Sequence, residues 1–317
     1  MLIFAGCRVE SRPTSRTIAG KDYQVVIIAD DNVWDGDLSM AICDLLEEDI
    51  PGLVRPEGYF DIVKQVSSAE ASDMDRRYGL ILNINVVPSN DAPSYKISEN
   101  IYARPQTIIT ITAPTVESAT AFIETNGREI RDIMEVSERE KMLNAAKGKP
   151  AKQLMADFKK HTGYEMLIPH NFSKANPADD ELLWYIRDYK NKAQYIFAFS
   201  MEYNPESSIE EVSDLVVDAI DNKFNTISSK DVNGSYMRIS DEFIAADVVT
   251  VNDAKMLELR GRWDVVDDYM GGSFTSYAIF DSATKRATVI TFALYAPEDI
   301  HRNLMREMEA LVYTIKQ

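Results

Sequence analysis

A helix-breaking tripeptide near the middle of the chain, Gly148-Lys149-Pro150, divides the sequence into two halves. Helical patterns lie on both sides of it, and Gly and Pro both interrupt helices, so the two runs are expected to stay separate. With 317 residues, the chain has room for two domains at roughly 150 residues per domain. We predict an N-terminal domain at residues 22–147 and a C-terminal domain at residues 148–317, after a leading segment at residues 1–21.

The first half alternates short apolar runs with longer periodic ones, which indicates strands and helices in one domain. The predicted strands are Tyr23–Ala29, Phe60–Val66, Tyr78–Val87, Ile101–Ala103 and Thr107–Thr112. The predicted helices are Leu38–Glu48 and a long segment from Pro114 to about Ala146.

The second half shows a helix, three strands, a helix, four strands and a last helix. The strands are predicted at Tyr164–Ile168, Leu182–Arg187, Tyr195–Met201, Gly234–Ile239, Ala254–Trp263, Phe274–Asp281 and Arg286–Tyr295. The helices are predicted at Ala151–His161, after the capping box Ser208-Ile209-Glu210-Glu211, and after Pro297. Both halves therefore predict an α+β protein, each domain a mainly antiparallel sheet packed by helices. The order in the second half resembles the PsbP-like α/β/α sandwich over roughly Tyr164–Gln317.

The N-terminus ends an apolar run in two small residues and a cysteine, Ile3-Phe4-Ala5-Gly6-Cys7. This pattern is typical of a bacterial lipoprotein cleavage site, where the thiol accepts the lipid. Six residues precede Cys7 and none is basic, whereas a full signal peptide has a basic start and a longer apolar stretch. Two readings stay open: a translation start further upstream, or an ordinary apolar N-terminus. Under the first reading, Arg8–Lys21 is expected to be a flexible tether.

The strong negative charge of the chain limits the kinds of molecule that it is expected to bind. The net charge is −17 and the sequence pI is near 4.7, so phosphate backbones repel the chain and nucleic acid is a poor partner. Membrane attachment is expected only through a lipid on Cys7.

Several strings resemble a domain-of-unknown-function family of cell-envelope lipoproteins found mainly in Bacteroidota. They are Asn100-Ile101-Tyr102-Ala103-Arg104-Pro105-Gln106, Arg260-Gly261-Arg262-Trp263 and Tyr269-Met270-Gly271-Gly272-Ser273-Phe274. The resemblance implies a lipid-anchored envelope protein and no assigned activity. Because Arg8, rather than Asp, follows the cysteine, the outer membrane is favoured by analogy.

Two segments are candidate ligand or partner patches. The first contains Arg260, Arg262, Asp268, Met270, Gly271 and Gly272, where arginine forks beside a Gly-Gly turn could hold a carboxylate or phosphate. The second contains Tyr102 and Arg104, which alternate with Gln106 onto one strand face. For both, the alternative is a structural role: a hairpin with cross-strand ion pairs, and an edge strand with a proline.

No motif in the sequence names a reaction, so we predict no catalytic, cofactor or metal residues. The three histidines lack metal spacing, and the carboxylates of Asp30–Asp37 do not follow an EF-hand pattern. The preferred function is a non-enzymatic binding or assembly module of the cell envelope, with an envelope protein as partner. The alternatives are an envelope hydrolase using carboxylates of an inter-domain cleft, and a small-ligand carrier with an apolar cavity.

Overall fold

The computed structural model describes residues 8–10, 16–229 and 232–317. They divide into two compact units: one comprises the residues up to Asp49 and Gly58–Lys141, and the other comprises Ile50–Glu57 and Met142–Gln317. The domain boundary before Gly148 stays a prediction from the sequence, and Cys7 lies outside the described residues. Within those residues, no helix is both long enough and apolar enough to span a membrane.

The described part of the first unit holds one sheet and two long helices, and the division between the units falls within the second helix. The strands are β1 (Arg8–Glu10), β2 (Gln24–Ile28), β3 (Asp61–Val66), β4 (Leu80–Val86), β5 (Ser94–Glu99) and β6 (Thr107–Ala113). The helices are α1 (Asp37–Leu46) and α2 (Val116–Lys147), and a 3-10 helix spans Asp75–Arg77.

The first sheet is mixed, in the order β1-β5-β6-β4-β2-β3. Only β5 and β6 pair antiparallel among its described strands, and the other neighbours are parallel. The α+β class is confirmed, but the expected mainly antiparallel pairing is wrong for this sheet. The physical reason is visible in β2 and β4, whose mostly buried apolar runs suit a parallel sheet, and in α1, which provides the crossover between β2 and β3.

Two segments of the first unit differ from the expectations. The expected tether is structured where the model describes it, because Arg8–Glu10 pairs with β5, and Thr17 and Ala19 form isolated bridges. The expected strand Ile101–Ala103 is a loop, and the strand is Ser94–Glu99 instead. The backbone at Asn100 is left-handed, with φ 56°, which lies outside the strand region.

The second unit is built on an antiparallel sheet. Its strands are β7 (Ser173–Lys174), β8 (Leu183–Tyr189), β9 (Lys192–Glu202), β10 (Tyr236–Val251), β11 (Ala254–Val266), β12 (Gly271–Asp281) and β13 (Arg286–Tyr295). They follow the order β10-β11-β12-β13-β9-β8-β7. The helices are α3 (Lys152–Thr162), α4 (Ile209–Phe224) and α5 (His301–Glu309), which continues as a 3-10 helix over Ala310–Thr314. The predicted strand Tyr164–Ile168 is not formed, apart from one isolated bridge at Glu165.

Helices cover both faces of this sheet, because alternate residues of each strand point to opposite sides. On one face, α4 packs through Val212, Val216, Ile220 and Phe224 against a large apolar cluster. On the other face lie α3 and α5; for example, the Tyr185 hydroxyl donates to the carbonyl of Leu154 in α3. The predicted capping box of α4 is confirmed, and Gly163 ends α3 in the left-handed conformation with φ 81°.

Candidate functional site

Arg260, expected to face a ligand, is buried between the sheet and α5. Its Nη1 and Nη2 donate to the two carboxylate oxygens of Glu309 at 2.7 and 3.2 Å. Its Nε and Nη2 also donate to Glu258 at 2.7 and 3.1 Å, and Thr275 donates to Glu309 at 2.8 Å. The guanidinium is thus bound by two carboxylates of its own chain, which is the structural alternative considered for this residue.

Electrostatics keep this cluster ionised. Burial alone raises the pKa of Glu309, but the charges of Arg260 and Arg306 outweigh burial and hold that pKa at about 2. Burial likewise lowers the pKa of Arg260, but Glu309 and Glu258 raise it well above its ordinary value. Arg260 and Glu309 therefore form a fixed ionic layer beneath α5, and both stay charged near neutral pH.

Arg262 is held by the segment Ile50–Glu57, which belongs to the same unit. The backbone carbonyl of Leu53 accepts from Nε of Arg262 at 3.1 Å and from Nη2 at 3.0 Å. The backbone approaches closely at Gly52, where an added Cβ would lie 2.7 Å from the backbone nitrogen of Gly261. The arginine fork expected to bind a ligand therefore binds a carbonyl of this segment.

A buried serine–histidine pair holds the next residue of the same segment, Val54. The Nε2 of His301 lies 3.0 Å from the carbonyl of Ala296, which can only accept, so Nε2 carries the proton. Nδ1 then accepts from the Ser273 hydroxyl at 3.1 Å, while Ser273 accepts from the backbone N–H of Val54 at 3.1 Å. Both side chains are buried, and burial lowers the pKa of His301. The pair is a structural relay, because its hydrogen-bonding atoms are used within the fold.

Glu57 completes this contact at the N-terminus of α5. Its carboxylate accepts from the backbone N–H groups of His301 and Arg302 at 2.8 and 2.6 Å. These are two of the donors that a helix start leaves without internal partners, and a carboxylate there also complements the helix dipole.

The expected Gly-Gly turn is part of a strand. The turn between β11 and β12 reaches left-handed geometry at Asp267, with φ 64°. Asp268 accepts from the N–H of Tyr269, and the carbonyl of Met270 accepts from the N–H of Val265. Asp268 therefore stabilises the turn, and Met270 packs against the apolar cluster on the α4 face.

Gly271 and Gly272 begin β12. At Gly272, an added Cβ would lie 1.7 Å from the carbonyl oxygen of Leu294 and 3.1 Å from Nε1 of Trp263. Glycine is required there by close backbone approach rather than by an anion.

The second expected patch lies in the first unit. Tyr102 is 38% exposed and Arg104 is exposed, while Gln106 is buried. The side chain of Gln106 donates to the carbonyls of Arg76 and Tyr78 and accepts from the N–H of Tyr102. Gln106 thus shapes the loop, and the expected common face of Tyr102, Arg104 and Gln106 is wrong because no strand forms there.

The second unit contains a cavity that the candidate patches did not predict. Its volume is about 280 Å³, and its walls are mainly apolar. Six aromatic side chains contribute: Trp184, Tyr189, Tyr195, Phe197, Trp263 and Tyr295. Four of them contact one another with ring centroids 5.7–6.2 Å apart.

The cavity follows from the cross-strand register. Gly272 pairs with Trp263, and Ala193 pairs with Tyr295. Small residues therefore stand beside large aromatic ones on the α4 face of the sheet. The helix α4 ends at Phe224, and the residues shortly after it, Ile227, Ser228 and Ser229, line the cavity. The open space is filled only partly, by side chains such as Met270 and Ile227.

Hydrogen-bond donors in the cavity walls lack partners. The indole Nε1 atoms of Trp184 and Trp263 are buried without a hydrogen-bond partner in the described structure. Burial raises the pKa of Tyr195 to about 12, with the charge of Asp188 adding to the effect, so its hydroxyl stays protonated. A buried unsatisfied donor costs about 1–3 kcal/mol, and native proteins contain few of them.

The rim of the cavity is polar and carries both charges. Asp188 and Lys190 flank the hairpin between β8 and β9, and Lys192 pairs with Asp299 at 2.9 Å. A mainly apolar pocket with a few polar groups is the usual form of a small-molecule binding site.

The described residues do not assemble a metal site or a recognisable catalytic group. They contain no cluster of three or more His, Cys, Asp or Glu side chains suited to a metal ion. The buried carboxylate Glu138 has a pKa raised by burial, but it pairs with Lys141 at 2.6 Å in the first unit.

The cavity residues cannot be told from ordinary core residues by their sequence pattern. Trp184 and Ile186 alternate in one predicted strand, and Tyr195 and Phe197 alternate in the next, which is also the pattern of an ordinary core. The additional signal was Gly272 within a strand, since an interior glycine often marks close backbone approach.

The fold and the cavity define an α+β protein with a ligand-sized aromatic pocket in its second unit. The chain belongs to the family described as Domain of unknown function (DUF4837), which matches residues 151–314. A second description, Domain of unknown function (DUF8532), matches residues 19–147. The expected membership of a domain-of-unknown-function family is confirmed.

Other comparisons add no function. No curated protein matches the chain. Among solved structures, the Ran-binding protein Mog1p of Saccharomyces cerevisiae is 12% identical, with a TM-score of 0.32, over 48% of this chain and 89% of that one. A mutant of protein Mog1 is 11% identical, with the same coverage and TM-score.

Proposed function

We propose that this protein is a non-enzymatic binding module that takes a small apolar ligand in the aromatic cavity of its second unit. The observation that carries the proposal is the cavity of about 280 Å³ whose aromatic walls contain donors without partners. A core optimised only for stability would fill such a space and satisfy such donors.

The fate of the charged candidates supports binding over hydrolysis. Arg260 and Glu309 bind each other, and His301 is used in a relay that holds Ile50–Glu57. An acid–base enzyme needs a titratable group within reach of its substrate, whereas the walls of this cavity are mainly apolar and its charged side chains, Asp188, Lys190 and Lys192, lie at the rim.

We also propose a location in the cell envelope, with a lipid on Cys7 as the anchor and the outer membrane as the preferred membrane. The apolar run that ends in Ala5-Gly6-Cys7 supports the anchor, and Arg8 after the cysteine supports the outer membrane by analogy. An envelope protein that delivers or receives the ligand is the proposed partner. For the second unit, helices on both faces of an antiparallel sheet support the proposed PsbP-like sandwich.

The binding proposal is tested with the neutral, environment-sensitive dye Nile red. Wild type is expected to bind one equivalent with saturable, blue-shifted emission. Ile227→Phe enlarges a partly buried side chain in the cavity wall and is expected to weaken binding at least about tenfold. Ile209→Phe makes the same exchange at a position that is 53% exposed and outside this cavity, and should leave binding unchanged. Equal binding in the three proteins, or no saturable binding in wild type, contradicts the proposal.

The anchor is tested separately by metabolic labelling with a fatty-acid analogue. The gene is expressed with its upstream codons, beside a Cys7→Ala variant. Label in wild type that disappears in the variant supports the anchor at Cys7. Label in neither protein contradicts it and leaves the binding proposal unaffected.

A further inference from the structure

We infer that the cavity selects a flat aromatic compound that carries a neutral, carbonyl-type oxygen acceptor. This inference rests on the proposed function and names the chemical class of its ligand. It follows from three properties of the cavity: the hydrogen-bonding sense of its unpaired groups, the shape of its walls and the charge of its rim.

The unpaired groups identify the missing partner as an acceptor. An indole Nε1–H can donate and cannot accept, and two such groups, on Trp184 and Trp263, have no partner in the described structure. A ligand oxygen reached by a small rotation of an indole ring would remove the penalty of one unsatisfied donor. A pure hydrocarbon would leave both of them unsatisfied.

The walls favour a flat ring. Tyr195 and Phe197 stack with an interplanar angle of 23° at 5.9 Å, and Trp263 meets Tyr195 edge-on at 79° and 6.1 Å. A further ring can extend this cluster by the same offset and edge-to-face contacts, which aromatic pairs prefer. The volume of about 280 Å³ suits a compound of one or two fused rings better than a long acyl chain.

The rim favours a neutral acceptor over an anionic one. Asp188 and Lys190 stand at the rim with opposite charges, the ammonium group of Lys192 is already paired with Asp299, and the whole chain has a net charge of −17. An anion would be repelled on approach and would lose its hydration inside apolar walls. A ketone-like oxygen keeps a strong acceptor and avoids both penalties.

The test compares two probes of nearly equal shape, 2-acetylnaphthalene and 2-isopropylnaphthalene. The chain has three tryptophans, Trp34, Trp184 and Trp263, so nitrogen–proton NMR shows three indole signals. The variants Trp34→Phe and Trp184→Phe assign them. Trp34 lies in the first unit and serves as the internal reference. Affinities are measured on the full chain by titration calorimetry.

The ketone is expected to bind about tenfold more tightly than the hydrocarbon, which corresponds to about 1.4 kcal/mol. It should also move the indole proton of Trp184 or Trp263 downfield, with Trp34 unchanged. Ile227→Phe should abolish the shift. Equal affinities without a downfield shift overturn the acceptor inference and leave the binding function standing. A shift that persists in Ile227→Phe also overturns it. If neither probe binds while Nile red does, the proposed ligand class is wrong.

Discussion

Replacing Glu309 by Gln should destabilise the second unit by roughly 3 kcal/mol near neutral pH. Folding lowers the pKa of Glu309 from its ordinary 4.5 to about 2, and that difference corresponds to roughly 3 kcal/mol. The side chain is 4% exposed, so solvent screening is small. Independent experience with broken buried ion pairs gives a similar cost of about 3–5 kcal/mol.

The same reasoning fixes how the loss depends on pH. A carboxylate whose pKa is lowered by folding stabilises the protein above its unfolded pKa near 4.5. That stabilisation disappears as the pH falls from about 4.5 through about 2. The difference between wild type and Glu309→Gln should therefore shrink by about half at about pH 3.

The assay is urea unfolding followed by tryptophan fluorescence in a Trp34→Phe background. The two tryptophans that remain, Trp184 and Trp263, both lie in the second unit. Glu298→Gln serves as the control, because Glu298 is exposed and makes only a 3.4 Å contact with Asn191. A loss below about 1 kcal/mol near neutral pH, or a loss that does not shrink in acid, would refute this account of the ionic layer.

Three further changes test the contacts around this sheet. Gly272→Ala should lower the free energy of unfolding by at least about 2 kcal/mol, because the added methyl group would lie 1.7 Å from the carbonyl oxygen of Leu294. Gly148→Ala is the control, since its added methyl group has its nearest contact at 3.4 Å. Equal urea midpoints for the two variants would contradict this reasoning. Burial lowers the pKa of His301, so the unfolded chain takes up its proton first, and wild type should lose stability as the pH falls below about 6.5. In His301→Gln this loss of stability below about pH 6.5 should be absent, as measured by urea unfolding at several pH values. A pH profile equal to that of wild type would refute the role given to His301. Ser208→Ala removes the N-cap of α4 and should lower the free energy of unfolding in urea by about 1 kcal/mol. An unchanged free energy of unfolding would contradict the capping role.

Local signals in the sequence were sufficient for the elements that depend on local chemistry. The capping box at Ser208 and the left-handed Gly163 are satisfied by residues within one helical turn, so the sequence contains the whole interaction. The direction of strand pairing in the first sheet was not predictable in this way. Parallel and antiparallel neighbours share the same apolar runs, and the pairing depends on crossovers such as the one through α1.

The candidate site failed for a related reason. The sequence shows two positively charged side chains at Arg260 and Arg262, but the groups that bind them are distant in the chain. Glu309 follows Arg260 by 49 residues, and Leu53 precedes Arg262 by 209. The alternation of side chains along a strand correctly predicted that both arginines lie on one face of the sheet. It could not predict that α5 and the segment Ile50–Glu57 cover that face.

The two faces of the second sheet differ in the kind of polar group that each one buries, and this difference supports the proposed function. On the α5 face, charged groups such as Arg187, Arg260 and Glu309 are bound by partners of opposite charge. Arg306 also pairs with Glu309 through Nη1, although its Nε has no hydrogen-bond partner in the described structure. On the α4 face, two buried indole donors have none in the described structure. The same chain therefore pairs its buried charged groups but leaves the neutral indole donors of two tryptophans that line a cavity without partners. Charge satisfaction on one face shows that the fold can place partners where stability requires them, so the unpaired donors on the other face are best explained by a partner that comes from outside the chain.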